Sequence, residues 1–106
     1  MEFGHVGILT VDLHLPDGGS LKGKRKEVLR LKSALVRRFS CAVAEVDHHE
    51  LWQRTRLTLA IVGREAGETD ERLQQASRFL HSDEAFQVVD EARELVAVDP
   101  APRWTG

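Results

Sequence analysis

Glu45-Val46-Asp47-His48-His49-Glu50 gathers five ionisable side chains into six residues, all of types that ligate metals or move protons. In a regular strand Glu45, Asp47 and His49 share one face and His48 with Glu50 the other, so neither face offers a strong ligand set. The helical H-E-x-x-H spacing is absent, and the one cysteine, Cys41, supplies no partner. A small metal-dependent enzyme using Glu45, Asp47 and His48 is therefore the minor alternative. The main expectation is a charged loop that pairs with the basic helix. No catalytic residue and no metal ligand is assigned.

Gly18-Gly19-Ser20-Leu21-Lys22-Gly23-Lys24-Arg25 has the phosphate-loop spacing G-x-x-x-x-G-K between a strand and a helix. The final position fails, because Arg25 stands where the motif needs the Ser or Thr hydroxyl that holds magnesium. Ser20 suits the N-cap of the helix instead, accepting a bond from a free backbone N–H. Nucleotide hydrolysis is set aside and no cofactor is expected, although free N–H groups at a helix start suit one phosphate. Ser20, Cys41 and the histidines show no nucleophile signature. Cys41 reads as a small buried apolar residue. The chain is expected not to be an enzyme.

The stretch from Ser20 to Phe39 carries eight of the fifteen basic residues and a single acid, Glu27, for a charge of +7; the remainder, seven basic residues against sixteen acids, is −9. Turning each residue by about 100° puts Lys22, Lys26, Arg30 and Arg37 in one line. They lie opposite an apolar stripe of Leu21, Val28, Leu31, Leu35 and Phe39, widened by Leu29 and Val36. A solvated face is the ordinary use of such a ridge. Two features favour an anionic partner. Acids for i,i+4 pairing are missing apart from Glu27, and cations crowd the first turns, where the helix dipole disfavours them by about 0.3–1 kcal/mol each. Lys24, Arg25 and Lys32 fall within or beside the apolar arc, where a stem can pack while its head snorkels outward or meets an acid of the sheet. At least one internal salt bridge is expected among them. The predicted nucleic-acid contacts are Lys22, Lys24, Arg25, Lys26, Arg30 and Arg37.

The elements that must position these residues follow from periodicity. His5 to Leu15 alternates as a strand, with Gly7, Leu9, Val11, Leu13 and Leu15 on the core face and Val6, Ile8, Thr10, Asp12 and His14 on the other. Cys41 to Val46 and Arg56 to Val62 read as two more strands, joined by a polar hairpin connection over 47–53. Gly63 to Gly67 reads as a loop, Thr69 to His81 as a second helix with Leu73, Ala76 and Leu80 on its face, and Phe86 to Val98 as a last strand. Within that strand Glu91-Ala92-Arg93-Glu94 is compatible with a helical turn or a bulge. The order is a ferredoxin-like β-α-β-β-α-β sandwich of the α+β class, a four-stranded antiparallel sheet with two helices on one face. The other sheet face is left open, as a binding platform or a dimer interface. Residues 1–98 are expected to form this single domain and 99–106 a mobile C-terminal tail.

With 106 residues the chain has room for one core. One cysteine excludes a disulfide framework within it, which fits a reducing setting. Neither a basic-then-apolar leader nor a run of membrane-spanning length is present, so the expectation is a cytoplasmic protein with no membrane partner.

The runs Ser20-Leu21-Lys22-Gly23-Lys24-Arg25 and Ala44-Glu45-Val46-Asp47-His48-His49-Glu50-Leu51-Trp52-Gln53-Arg54, at this separation, resemble the YlxP-like family of small bacterial proteins, a domain of unknown function. The likeness spans nearly all of His5 to Val98, and the second run is its specific part. The resemblance implies a ferredoxin-like fold and a cytosolic protein, often encoded beside transcription and translation factors, with a link to RNA or ribosomes. It supplies no active site. The family pattern marks Ser20, Leu21, Lys22, Lys24 and Arg25, then Glu45, Asp47, His48, Trp52, Gln53 and Arg54. The two runs are expected to adjoin, with Glu45 or Asp47 orienting Lys24 or Arg25 while Lys22 and Lys26 stay free for phosphate.

The leading functional expectation is a non-enzymatic accessory protein that binds RNA or a ribosomal particle through the basic first helix. The alternative is a homodimeric protein-interaction module using the open sheet face or Trp52. No small-molecule substrate is identified.

Overall fold

The computed structural model describes residues 3–99. The chain runs β1 (His5–His14), α1 (Leu21–Phe39), β2 (Ala42–Asp47), β3 (Arg54–Gly63), α2 (Ala66–His81) and β4 (Gln87–Ala97). All strand pairs are antiparallel, in the order β2-β3-β1-β4. This is the ferredoxin-like α+β arrangement expected from the element order. The tail expected beyond residue 98 lies, apart from Asp99, outside the described residues.

Strict alternation makes β1 a two-faced strand. Leu9, Val11 and Leu13 are at most 1% exposed and face both helices, joined there by Leu57, Leu59 and Ile61 of β3. On the open face Ile8 stands opposite Ala60, Thr10 opposite Thr58 and Asp12 opposite Arg56. The Thr10 and Thr58 hydroxyls share a 2.8 Å hydrogen bond across the two strands.

Helix α1 begins where Ser20 accepts a 3.0 Å bond from the Gly23 N–H, removing one of the free donors of the first turn. It ends at Ser40, whose left-handed backbone (φ 49) returns its N–H to the Val36 carbonyl. Val28, Leu31, Leu35 and Phe39 enter the core, but Leu29 and Val36 do not: they are 65% and 47% exposed. The reason is Lys24, which occupies the buried arc between Leu31 and Val28. Counting that lysine as polar displaces the apparent centre of the stripe toward Leu29 and Val36.

Helix α2 starts at Ala66, three residues before the expected Thr69. Its first turn, Ala66-Gly67-Glu68, has no large apolar residue to reveal a period. Thr69 is buried within that turn and donates 2.7 Å to the Glu65 carbonyl. Strand β3 starts two residues earlier than predicted, at Arg54, and β4 continues unbroken through Glu91-Ala92-Arg93-Glu94. The irregularity in β4 is a bulge at Val89, since Asp12 pairs with Asp90 while Leu13 pairs with Val88.

Helix α1 packs on β2, and α2 on β1, β3 and β4. Among the described residues no helix is long and apolar enough to cross a membrane.

Candidate functional site

The two distinctive sequence runs meet at one end of the sheet, through a lysine. Lys24 is fully buried, and its Nζ lies 2.7 Å from Glu45 Oε2 and 2.8 and 3.3 Å from the His48 and His49 carbonyl oxygens. Glu45 also accepts a bond from the Thr55 hydroxyl and lies 2.8 Å from His49 Nδ1. Burial works against ionisation of Glu45, but the bonds from Lys24 and Thr55 outweigh it and hold its carboxyl below the usual range. Three donors around one shielded carboxylate satisfy charges that would otherwise be costly to bury.

This knot ties the β2–β3 connection to the first turn of α1. The expected adjacency of the two runs is thus present, with Glu45 orienting Lys24. Lys24 itself does not belong to the basic surface: its ammonium faces the interior and is not available to a phosphate. The connection is closed by a turn in which the Leu51 N–H donates to the His48 carbonyl, with His48 in the left-handed region (φ 64). It leans on the chain after β1: the Leu15 N–H donates 2.8 Å to the Gln53 carbonyl. A side chain at Gly18 would come within 2.8 Å of the Trp52 carbonyl oxygen. The outcome is a loop whose backbone is pinned while Leu51 and Trp52 stay about half exposed.

A bulge at Val46 separates Glu45 from Asp47. Glu45 pairs in register with Leu57 and Asp47 with Arg56, so the two carboxylates go to opposite faces of the sheet. On the open face Arg56 grips Asp12 at 2.8 and 3.1 Å and reaches Asp47 at 3.3 Å. His48 Nε2 lies 3.8 Å from Asp12. The Arg56 bonds keep the Asp12 carboxyl below its usual range against the opposing effect of burial. Glu45, Asp47 and His48 therefore do not converge on one point. Among the described residues, no three His, Cys, Asp or Glu side chains are grouped to hold a metal ion. Cys41 is buried, its thiol pushed up by desolvation and donating 3.5 Å to the Leu35 carbonyl.

The outer face of α1 is less uniformly available than its sequence implies. Arg30 is clamped: its Nε lies 2.7 Å from Glu27, and its two terminal nitrogens lie 3.1 and 3.0 Å from the carboxylate of Asp83. It links α1 to the end of α2 and leaves the predicted ridge. Arg38 lies over the Phe79 ring, 4.6 Å from its centre. Lys22, Arg25, Lys26 and Arg37 are exposed, and Lys32 is half-buried; none has an ion-pair partner among the described residues. The partners missed from sequence, Asp83 for Arg30 and Asp12 for Arg56, lie 53 and 44 residues away, beyond any local pattern.

The chain is 29% identical over 77 residues to "Uncharacterized protein YlxP" of Bacillus subtilis (strain 168), covering 73% of this chain and 84% of that protein. The profile of the family described as "Protein of unknown function (DUF503)" matches residues 6–93, a span that holds both the Lys24–Glu45 knot and the exposed cations of α1. The chain belongs to the DUF503 family, of which YlxP-like proteins are the relatives anticipated from the two sequence runs.

Proposed function

We propose that this protein is a non-enzymatic accessory factor that binds RNA or a ribosomal surface through the outer face of α1. The contacts are Lys22, Arg25, Lys26 and Arg37; Lys24 and Arg30 serve as internal ties. The observation that carries this reading is the set of α1 cations with no ion-pair partner among the described residues, beside acids gathered on α2 and β4. Cations left in the first turns of a helix, where its own dipole repels them, are relieved by a bound anion.

The test is copurification with ribosomal particles and RNA across a salt series, comparing the natural chain with the Lys22→Glu, Lys26→Glu double variant. Arg30 makes a poor probe, because reversing it would break the Asp83 clamp. Association should weaken steeply with salt, by a logarithmic slope of about 0.7–0.9 per neutralised phosphate, and should vanish in the double variant while circular dichroism is unchanged. An unaltered affinity in the double variant would refute the assignment. Absence of association at low salt, together with concentration-dependent sedimentation, would favour a homodimer through the open sheet face. There Ile8, Ala60 and the 70%-exposed Val62 form an apolar strip.

A further inference from the structure

Helix α1 lies over β2, an outer strand of the sheet, and the two leave a groove of about 360 Å³ lined by Leu29, Lys32, Ser33, Val36, Arg37 and Val43. Its character is unlike that of the helix start. Leu29 and Val36 present aliphatic surface to solvent at 65% and 47% exposure, and Val43 is half-buried beside them. Lys32 and Arg37 border them with no ion-pair partner among the described residues. Among the described residues strand β2 pairs with β3 alone, so its far side offers unpaired strand backbone along the same groove.

We propose that this groove receives an extended acidic and aliphatic segment of a partner protein, added as a strand on the free edge of β2. Each component has its place. Backbone groups of the segment continue the ladder of β2, its aliphatic side chains cover Leu29, Val36 and Val43, and its carboxylates meet Lys32 and Arg37. Charge complementarity selects the occupant: a basic segment would be repelled, and a neutral one would leave both cations unanswered. Nucleic acid fits less well, because aliphatic side chains occupy the middle of the groove and no aromatic lines it to stack a base. A second copy pairing β2 to β2 would bring another Lys32 and Arg37 to the seam and leave these cations unanswered, so an acidic partner fits better than a second copy. The inference does not rest on the RNA reading: Lys22, Arg25 and Lys26 lie at the other end of the helix, and Arg37 is the one residue the two surfaces share.

The test is a nitrogen-15 amide titration of the full chain with a short end-blocked peptide of alternating Glu and Val. Parallel titrations use its Lys and Val counterpart and an oligouridine. The acidic peptide should move the amides of β2 and of Leu29 to Arg37 in a saturable way, and the lysine peptide should not. Val36→Asp, at an exposed position that leaves the core untouched, should weaken the acidic peptide at least about five-fold, whereas the Lys22→Glu, Lys26→Glu variant should bind that peptide as the natural chain does. No movement of these amides, or an equal response to the lysine peptide, would overturn the proposal. So would oligouridine moving the same amides with the same loss on Val36→Asp, which would make the groove a nucleic-acid site. Groove shifts that appear with protein concentration alone would assign it to a second copy.

Discussion

For Lys24 the sequence offered two roles, a nucleic-acid contact and an internal tie to Glu45 or Asp47, and its complete burial against Glu45 leaves the second. A lysine in a basic run suggests a surface charge, yet here its stem lies in the core and its head crosses to Glu45 and two carbonyl oxygens. Removing it leaves a shielded carboxylate and two peptide acceptors without their donor. Lys24→Met should therefore destabilise the protein by about 3–5 kcal/mol, the range for breaking a buried pair from one side, measured as a lowered urea midpoint. Adding Glu45→Leu to Lys24→Met should recover much of the loss, since the orphaned charge goes too. Arg56 behaves similarly at the surface, where it stands between Asp12 and Asp47. Asp12 also faces Asp90 across the β1–β4 pairing, so Arg56 offsets a repulsion as well as making a bond.

At the scale of elements, close approach of α2 to β1 depends on a missing side chain. A Cβ at Gly7 would lie 2.7 Å from Leu73 Cδ1, closer than packed carbons tolerate. Gly7→Ala should cost about 1–3 kcal/mol through overpacking, read from thermal or urea unfolding. Most of that cost should vanish in a Leu73→Ala background, because the two positions share one space. The elements also differ in how plainly they announce themselves. β1 and β3 bury one whole face, so their alternation is clean, whereas β4 is an outer strand whose residues are nearly all exposed, and its polar Glu91-Ala92-Arg93-Glu94 stretch is held by pairing to β1 and by Glu91 bonds to Ser77 and His81. The α1 stripe was legible in its spacing and direction; its width was not, for want of knowing that Lys24 points inward and Leu29 and Val36 outward.

Across the whole molecule the charges are sorted laterally. Basic α1 covers the β2 side of the sheet, while α2 and β4, bearing Glu68, Asp70, Glu71, Asp90, Glu91 and Glu94 against Arg72, Arg78 and Arg93, leave the opposite side net acidic. Such polarisation supports the anionic partner proposed for α1. Its acids also set its response to pH. Asp12, Glu45, Asp83 and Glu91 all have carboxyls held below their ordinary values: Arg56 bonds lead for Asp12 and the His81 bond for Glu91, while for Glu45 and Asp83 burial opposes and is outweighed by Lys24 and Arg30. A depressed folded-state value stabilises the fold above the unfolded value and loses that contribution as pH falls through the folded one. Stability should therefore hold near neutrality and fall below about pH 4.5, followed as the urea midpoint against pH. Asp83→Asn should lower stability at pH 7 and flatten that acid-side slope.

The element order, the antiparallel sheet with one open face and the cap at Ser20 were legible in the chain alone. These rest on local periodicity, hydrogen-bonding chemistry and short motifs, all written within a few residues of one another. Which cations are surface and which are structural emerged only on packing. Lys24, Arg30 and Arg56 each found an acid from 9 to 53 residues away, and the groove between α1 and β2 came into being only when the helix settled on that outer strand. Local spacing encodes the faces of an element; the identity of what each face meets is a property of the packed molecule, because ion pairs and clefts are set by distances in space.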